Sequence, residues 1–154
     1  MEIKENFNPK RPYCRKEIDD AFNKRKALMQ KEALQRGLAY DNQNIALYHD
    51  CYTGKMLRGG DRYNYEHIIS AQAVFEHYKA THSNEQIAQI VNLPDNVSVT
   101  LRTINQNKGK YDLQNRILNN PTKIKEFDID VVVAKQNFEN AKKAVLNLNK
   151  TIIN

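Results

Sequence analysis

The chain has 154 residues, a length that suits one domain with a single hydrophobic core. Lys and Arg number 24 against 18 Asp and Glu, and the resulting net charge of +6 favours a polyanionic partner, although a merely soluble basic protein has the same balance. No apolar run approaches the length of a membrane span, which excludes a membrane-spanning protein, and the N-terminal sequence lacks the apolar segment of a secretory signal.

Cysteine use is sparse and bears on the expected compartment. Cys14 and Cys51 form no CxxC pair, which excludes a zinc knuckle. Two cysteines allow one disulfide, but free thiols in a reducing compartment are the expectation, and we therefore predict a cytoplasmic protein.

The first 44 residues are predicted to form an N-terminal arm and a basic helix. Residues 1–12 contain two prolines and are expected to be irregular. From Lys16 to about Gly37 apolar residues recur every three or four positions, which predicts a helix, and Gly37 is its predicted stop. The opposite face of this helix is strongly basic, a pattern equally typical of a solvated face and of one that faces DNA.

The middle of the chain is predicted to mix short strands with helices. Residues 45–48 indicate a short strand or the end of a helix, and a turn follows at Thr53-Gly54. The stretch "YNYEHII" (63–69) alternates aromatic and polar residues, and "NVSVTL" (96–101) alternates with β-branched residues, so both are predicted strands. Between them, about 71–92, two helical pieces are predicted, and Ser83 with Gln86 forms a candidate capping box for the second.

The rest of the chain is predicted to be helical. A helix should open near Arg102, with Gly109 as a possible break, and Asn119-Asn120-Pro121 marks a boundary. A long final helix is predicted from near Asp130. It carries an apolar heptad stripe, which packs either on the protein's own core, our default, or on a second copy. The stripe consists of Ala134, Phe138, Ala141, Val145, Leu148 and Ile152.

Candidate catalytic residues lie in three stretches of this middle region. Glu66 is directly beside His67 in the first predicted strand. Asn96 immediately precedes the second predicted strand, and Asn105 and Lys108 lie one turn apart on the helix that follows. The order is therefore strand with Glu-His, connection, Asn, strand, and helix with Asn-x-x-Lys.

This order resembles the HNH endonucleases, also called the His-Me finger or ββα-metal family, in a His-Asn-Asn variant. The upstream stretch "CYTGKML" before "YNYEHII" is similar to the lead-in of the HNH domains of RNA-guided CRISPR effector nucleases. The resemblance covers roughly residues 45–112. It implies an α+β fold, mainly helical around a small ββα-metal finger, in one domain (1–154) with a helical insertion at about 71–92 and a C-terminal helical extension at 113–154.

The resemblance also implies roles for the individual residues. His67 would be the general base that deprotonates water. Glu66 and Asn105 would supply hard oxygen ligands to one divalent cation, Mg²⁺ or Mn²⁺, and Asn107 is the runner-up for the second ligand. Asn96 would hydrogen-bond the backbone of the loop that carries His67, and Lys108 would contact the substrate phosphate.

Two features depart from the family pattern. The family often has Asp or His before the general base, where this chain has Glu66. The 29 positions from His67 to Asn96 exceed the spacing of compact members, because the helical pieces lie between them. That insertion makes Asn92 a rival for the middle asparagine, although Asn96 is preferred because it directly precedes the strand.

The sequence thus predicts a metal-dependent endonuclease that hydrolyses DNA phosphodiester bonds, nicking at each active site and cutting both strands if it dimerises through the C-terminal helix. The alternatives are a non-catalytic nucleic-acid-binding protein on an HNH-like scaffold, and a helical interaction protein with a protein partner. The candidate contacts to DNA are Lys10, Arg11, Lys24, Arg25, Lys108 and Lys110.

Overall fold

The computed structural model describes residues 7–146, which form an α+β arrangement of mostly helical elements around short strands. The helices are α1 (Lys16–Asp41), α2 (Ala71–Tyr78), α3 (Asn84–Val91), α4 (Arg102–Lys108), α5 (Pro121–Glu126) and α6 (Val131–Leu146). The strands are β1 (Leu47–His49), β2 (Met56–Arg58), β3 (Tyr63–His67) and β4 (Val97–Leu101). A 3₁₀ turn, Pro94–Asn96, precedes β4, and a π-helical turn, Gln114–Leu118, lies between α4 and α5. The predicted α+β class is confirmed.

The strands form two antiparallel pairs. In the first, β1 pairs with β2 across a turn in which Gly54 has a φ of 72°, a left-handed conformation that glycine adopts without a steric penalty. In the second, β3 pairs with β4 in a register that places Tyr65 opposite Val99. Helix α4 begins directly after β4, so β3, β4 and α4 form a strand–strand–helix unit, and α2 and α3 lie in the connection between its two strands.

The first helix is longer than the sequence predicts, and the expected stop at Gly37 is wrong. Helix α1 ends at Asn42, which adopts a φ of 50° and donates its backbone N–H toward the carbonyls of Gly37 and Leu38. Gly37 serves close packing instead. A Cβ added there would lie 1.7 Å from the carbonyl oxygen of Ile45, so only glycine lets the returning chain pass so near the helix.

The two helices between β3 and β4 are stabilised at their N-termini by serine side chains. Ser83 and Gln86 form the capping box that the sequence predicts for α3. Ser70 caps α2 by accepting from the backbone N–H of Ala73 at 3.1 Å. These caps fix where both helices begin, and both helices bury their apolar faces in the main hydrophobic core.

The final helix packs its apolar stripe on the protein's own core. It begins at Val131, as predicted, where Asp130 accepts from the backbone N–H groups of Val132 and Val133. The stripe residues Ala134, Phe138, Ala141 and Val145 are all buried in that core, so this part of the stripe is not free to form a dimer seam. Leu148 and Ile152 lie outside the described residues.

Two further expectations concern cysteines and membranes. Cys14 and Cys51 are both free thiols, and Cys51 is buried. Within residues 7–146 no helix has both the length and the apolar character needed to cross a bilayer.

Candidate active site

Glu66 lies near the end of β3, with its side chain buried at 4% exposure. One carboxylate oxygen, Oε1, accepts a hydrogen bond from the hydroxyl of Tyr52. The other, Oε2, is shielded from solvent, has no hydrogen-bond partner and lies 3.9 Å from Nζ of Lys108. Burial raises the pKa of Glu66, and the Lys108 ammonium partly opposes that rise. One carboxylate oxygen is therefore hydrogen-bonded, and the other lies buried beside the Lys108 ammonium.

Lys108 is also buried, at 1% exposure, which corrects the expectation that it reaches a substrate phosphate from the surface of α4. Its Nζ donates to the backbone carbonyl of His67 at 3.2 Å. A buried ammonium needs a compensating charge and a hydrogen-bond acceptor, and Glu66 and this carbonyl supply them. In this position Lys108 fixes the backbone that carries His67 and partly neutralises Glu66.

The sequence did not point to two residues behind Glu66. Tyr52, fully buried, holds the Glu66 carboxylate, and the buried Asp50 accepts from the backbone N–H of Tyr52 and from the hydroxyl of Thr100 on β4. Tyr52 lies within "CYTGK" and Asp50 directly precedes it, and this stretch suggested a family resemblance but no contact with Glu66. The spacing of Asp50 and Tyr52 matches no sequence motif, so it could not have revealed the contact between Tyr52 and Glu66.

His67 ends β3, and its imidazole has neighbours different from those of Glu66, as expected for adjacent residues of a strand. Its Nε2 lies 2.8 Å from Oδ1 of Asn92, and its ring lies 4.2 Å from the ring of Phe22 on α1. Burial lowers the pKa of His67 to about 4, and the positive charges of Arg15 and Lys108 act in the same direction. The imidazole is therefore neutral at pH 7, the state that a general base requires.

The sequence left Asn92 and Asn96 as rivals for the middle asparagine, and the structure gives each of them a different contact near His67. Asn96, fully buried, accepts from the backbone N–H of Ile69 at 2.7 Å and donates to the carbonyls of Ile69 at 3.0 Å and Val91 at 2.8 Å. It thus binds the backbone just after His67, where the chain bends out of the strand. The contact with the imidazole itself belongs to Asn92.

A cavity of about 280 Å³ brings several predicted residues together. Glu66 and His67 of β3 and Asn105 of α4 all line it. Arg15, Phe22, Tyr65 and Lys110 line it as well. Asn107 does not line the cavity, and its buried Oδ1 has no hydrogen-bond partner.

The predicted DNA contacts fall into two groups. Lys10, Lys24 and Lys110 are exposed and available to a polyanion. Arg11 and Arg25 are half-buried and engaged: Arg11 donates to the carbonyls of Lys79 and His82, and Arg25 donates to the carbonyl of Asn92 at 3.1 Å. We therefore revise both arginines from surface contacts to residues that hold the fold together.

The cavity is lined by a carboxylate and an amide, which carry the kind of oxygen donor that a hard divalent cation prefers. Among residues 7–146 no group of three His, Cys, Asp or Glu side chains could hold a metal, so a cage made by the protein alone is not present. Mg²⁺ commonly takes one or two protein oxygens and completes its shell with water and substrate phosphate. Glu66 and Asn105 would supply such oxygens, but Oε2 of Glu66 is shielded from solvent beside Lys108, so a cation could reach it only if Lys108 moved away.

Comparison with known proteins provides no independent identification. The chain matches no protein-family model, no curated protein and no solved structure.

Proposed function

We propose that this protein is a metal-dependent endonuclease of the HNH type that hydrolyses phosphodiester bonds in DNA. The observation that carries the proposal is the strand–strand–helix unit of β3, β4 and α4, in which His67 and Asn105 line one cavity together with Glu66. A neutral imidazole, a carboxylate with an unpartnered oxygen and an amide provide a base and two hard ligands at one place.

The residues of the chain have separate roles in the proposed reaction. His67 would take a proton from the attacking water, which its neutral imidazole can accept at pH 7, although its lowered pKa makes it a weaker base than a free imidazole. Glu66 and Asn105 would hold the cation, which when bound neutralises charge on the phosphate and on the leaving oxygen. Asn96 holds the bend after His67, and Lys108 holds the carbonyl of His67 itself.

Supercoiled plasmid provides the direct test. We expect the wild-type protein to convert it to the nicked form with Mg²⁺ or Mn²⁺ and not with EDTA, because one active site cuts one strand. His67→Ala should abolish nicking while leaving DNA binding intact. His49→Ala is the matched control, since it removes an exposed imidazole at the end of β1. Equal nicking by the His67 and His49 variants would contradict the proposal.

A second candidate function is non-catalytic nucleic-acid binding on the same scaffold. It is favoured by one observation: Oε2 of Glu66 is shielded from solvent and lies beside Lys108, an arrangement that is stable without a cation. Under this alternative the wild-type protein should bind DNA without any requirement for Mg²⁺ and should never nick it.

A further inference from the structure

The orientation of the Asn92 side chain is determined by its partners. Asn92 is 4% exposed, and its Nδ2 donates to the carbonyl of Ile18 at 3.1 Å and to that of Ala88 at 2.8 Å. Carbonyl oxygens only accept hydrogen bonds, so the amide nitrogen must face them. The amide oxygen must then face the imidazole of His67.

This orientation fixes the tautomer of His67. Oδ1 of Asn92 can only accept, so Nε2 of His67, 2.8 Å away, must carry the proton that is donated. A neutral imidazole has one ring proton, and Nδ1 is left with its lone pair. Of the two ring nitrogens, Nδ1 is therefore the one that can accept a proton from water.

Helix α1 holds both partners of this hydrogen bond. Two hydrogen bonds join Asn92 to α1: its Nδ2 donates to the carbonyl of Ile18, and its backbone carbonyl accepts from the guanidinium of Arg25. Phe22 of the same helix packs against the imidazole. The helix that the sequence suggested as a DNA-binding flank is thus part of the wall of the candidate site.

We propose that Asn92 is a positioning residue that, clamped between α1 and α3, holds His67 in the Nε2-protonated tautomer and makes Nδ1 the basic nitrogen. The catalytic consequence rests on the proposed nuclease function, whereas the tautomer itself does not. Loss of a residue that orients a metal-ligating histidine typically costs about 10- to 100-fold in activity, and we expect a loss of similar size for a histidine that acts as the base.

The tautomer is tested by ¹H–¹⁵N correlation of the histidine ring nitrogens in the wild-type protein without metal. We expect a protonated Nε2 and an unprotonated Nδ1 for His67, assigned by the signals lost in His67→Gln. A protonated Nδ1 with an unprotonated Nε2 would overturn the proposal, and this reading does not depend on any variant of Asn92 or on cleavage.

The role of Asn92 is tested by Asn92→Leu, which keeps the volume and removes the acceptor, beside Asn23→Ala as a control at an exposed position of α1. In Asn92→Leu we expect signals of both tautomers and a kcat for nicking about 10- to 100-fold lower at unchanged KM. A single Nε2-protonated form with unchanged kcat would contradict the proposal. Absence of nicking by the wild type would instead count against the nuclease function, and the ring spectra would still decide the tautomer.

Discussion

At the scale of single residues, the buried pair of Glu66 and Lys108 bears both on the stability of the fold and on the position of His67. Glu66 and Lys108 are both buried, and each would be left as an uncompensated charge without the other. The sequence suggested that both residues matter but could not show that they face each other, because they lie 42 positions apart in different elements. Their separation in the chain hides a contact that only the fold creates.

Lys108→Met should destabilise the protein by about 3–5 kcal/mol, because it leaves the Glu66 carboxylate buried without its ammonium. The double variant Glu66→Gln/Lys108→Met should recover most of that loss, since no buried charge remains. Urea unfolding monitored by circular dichroism measures both. If the double variant is as unstable as Lys108→Met, charge compensation is not the reason for the loss.

His67 should make stability depend on pH in a defined window. Its pKa is about 4 in the folded protein against an ordinary 6.5, so between these values the unfolded chain binds more protons than the folded one. Neutral His67 therefore contributes up to about 3 kcal/mol to the free energy of unfolding. This contribution is complete above pH 6.5 and is lost as the pH falls to 4.

Urea unfolding of the wild type and of His67→Gln across this range measures the effect as a difference. Glu66 acts in the opposite direction, because its raised pKa stabilises the fold as the pH falls, but it is present in both proteins and cancels. Parallel stability curves for the two proteins between pH 6.5 and 4 would show that His67 is not buried in its neutral form.

The sequence predicted candidate residues better than it predicted their partners. Residues 66, 67, 96 and 105 stand out because acid, base and amide groups precede or follow predicted strands in a meaningful order. The amide of Asn92 caps the end of α3, a position that spacing alone made a rival to Asn96. Only the packing of α1 against α3 shows that the imidazole contacts Asn92.

At the scale of elements, helix α1 shows why local signals mislead. Glycine is the residue most often found just past a helix end, and Gly37 was predicted to be a stop on that basis. In the structure it lies within α1, where the chain from Ile45 crosses it. The capping signal at Ser83 succeeded because its partner, Gln86, is only three residues away.

Gly37→Ala should destabilise the protein, even though alanine is the better helix former by about 1 kcal/mol. The added Cβ would lie 1.7 Å from the carbonyl oxygen of Ile45, so the chain after α1 must move away. Gln35→Ala, at an exposed position of the same helix, is the control and should leave the melting temperature unchanged or slightly higher. A melting temperature for Gly37→Ala at or above that of the wild type would contradict this packing.

At the scale of the whole molecule, the net charge of +6 comes from basic side chains of two kinds, those that face solvent and those that hold the fold together. The sequence could count the cations but could not separate these groups. Lys24 and Lys110 are exposed, whereas Arg11 is anchored on backbone carbonyls of the connection between α2 and α3. Only the exposed group can release counterions when DNA binds.

We expect the logarithm of DNA affinity to fall linearly with the logarithm of salt concentration, and Lys24→Ala and Lys110→Ala each to reduce that slope by about 1. Arg11→Ala should lower the melting temperature and leave the slope unchanged, because its guanidinium is engaged within the protein. Fluorescence anisotropy with a labelled duplex over a series of salt concentrations measures all three. Identical slopes in the wild type and both lysine variants would exclude these residues as phosphate contacts.

The long excursion between β3 and β4 affects the order in which the molecule can assemble. His67 is synthesised well before Asn92, Asn96 and β4, and its strand pairs only after two intervening helices have emerged. Closing so large a loop is slow compared with local helix formation. A nascent or incompletely folded chain consequently has an imidazole with no fixed tautomer until β4 has paired with β3 and α3 has placed Asn92 beside it.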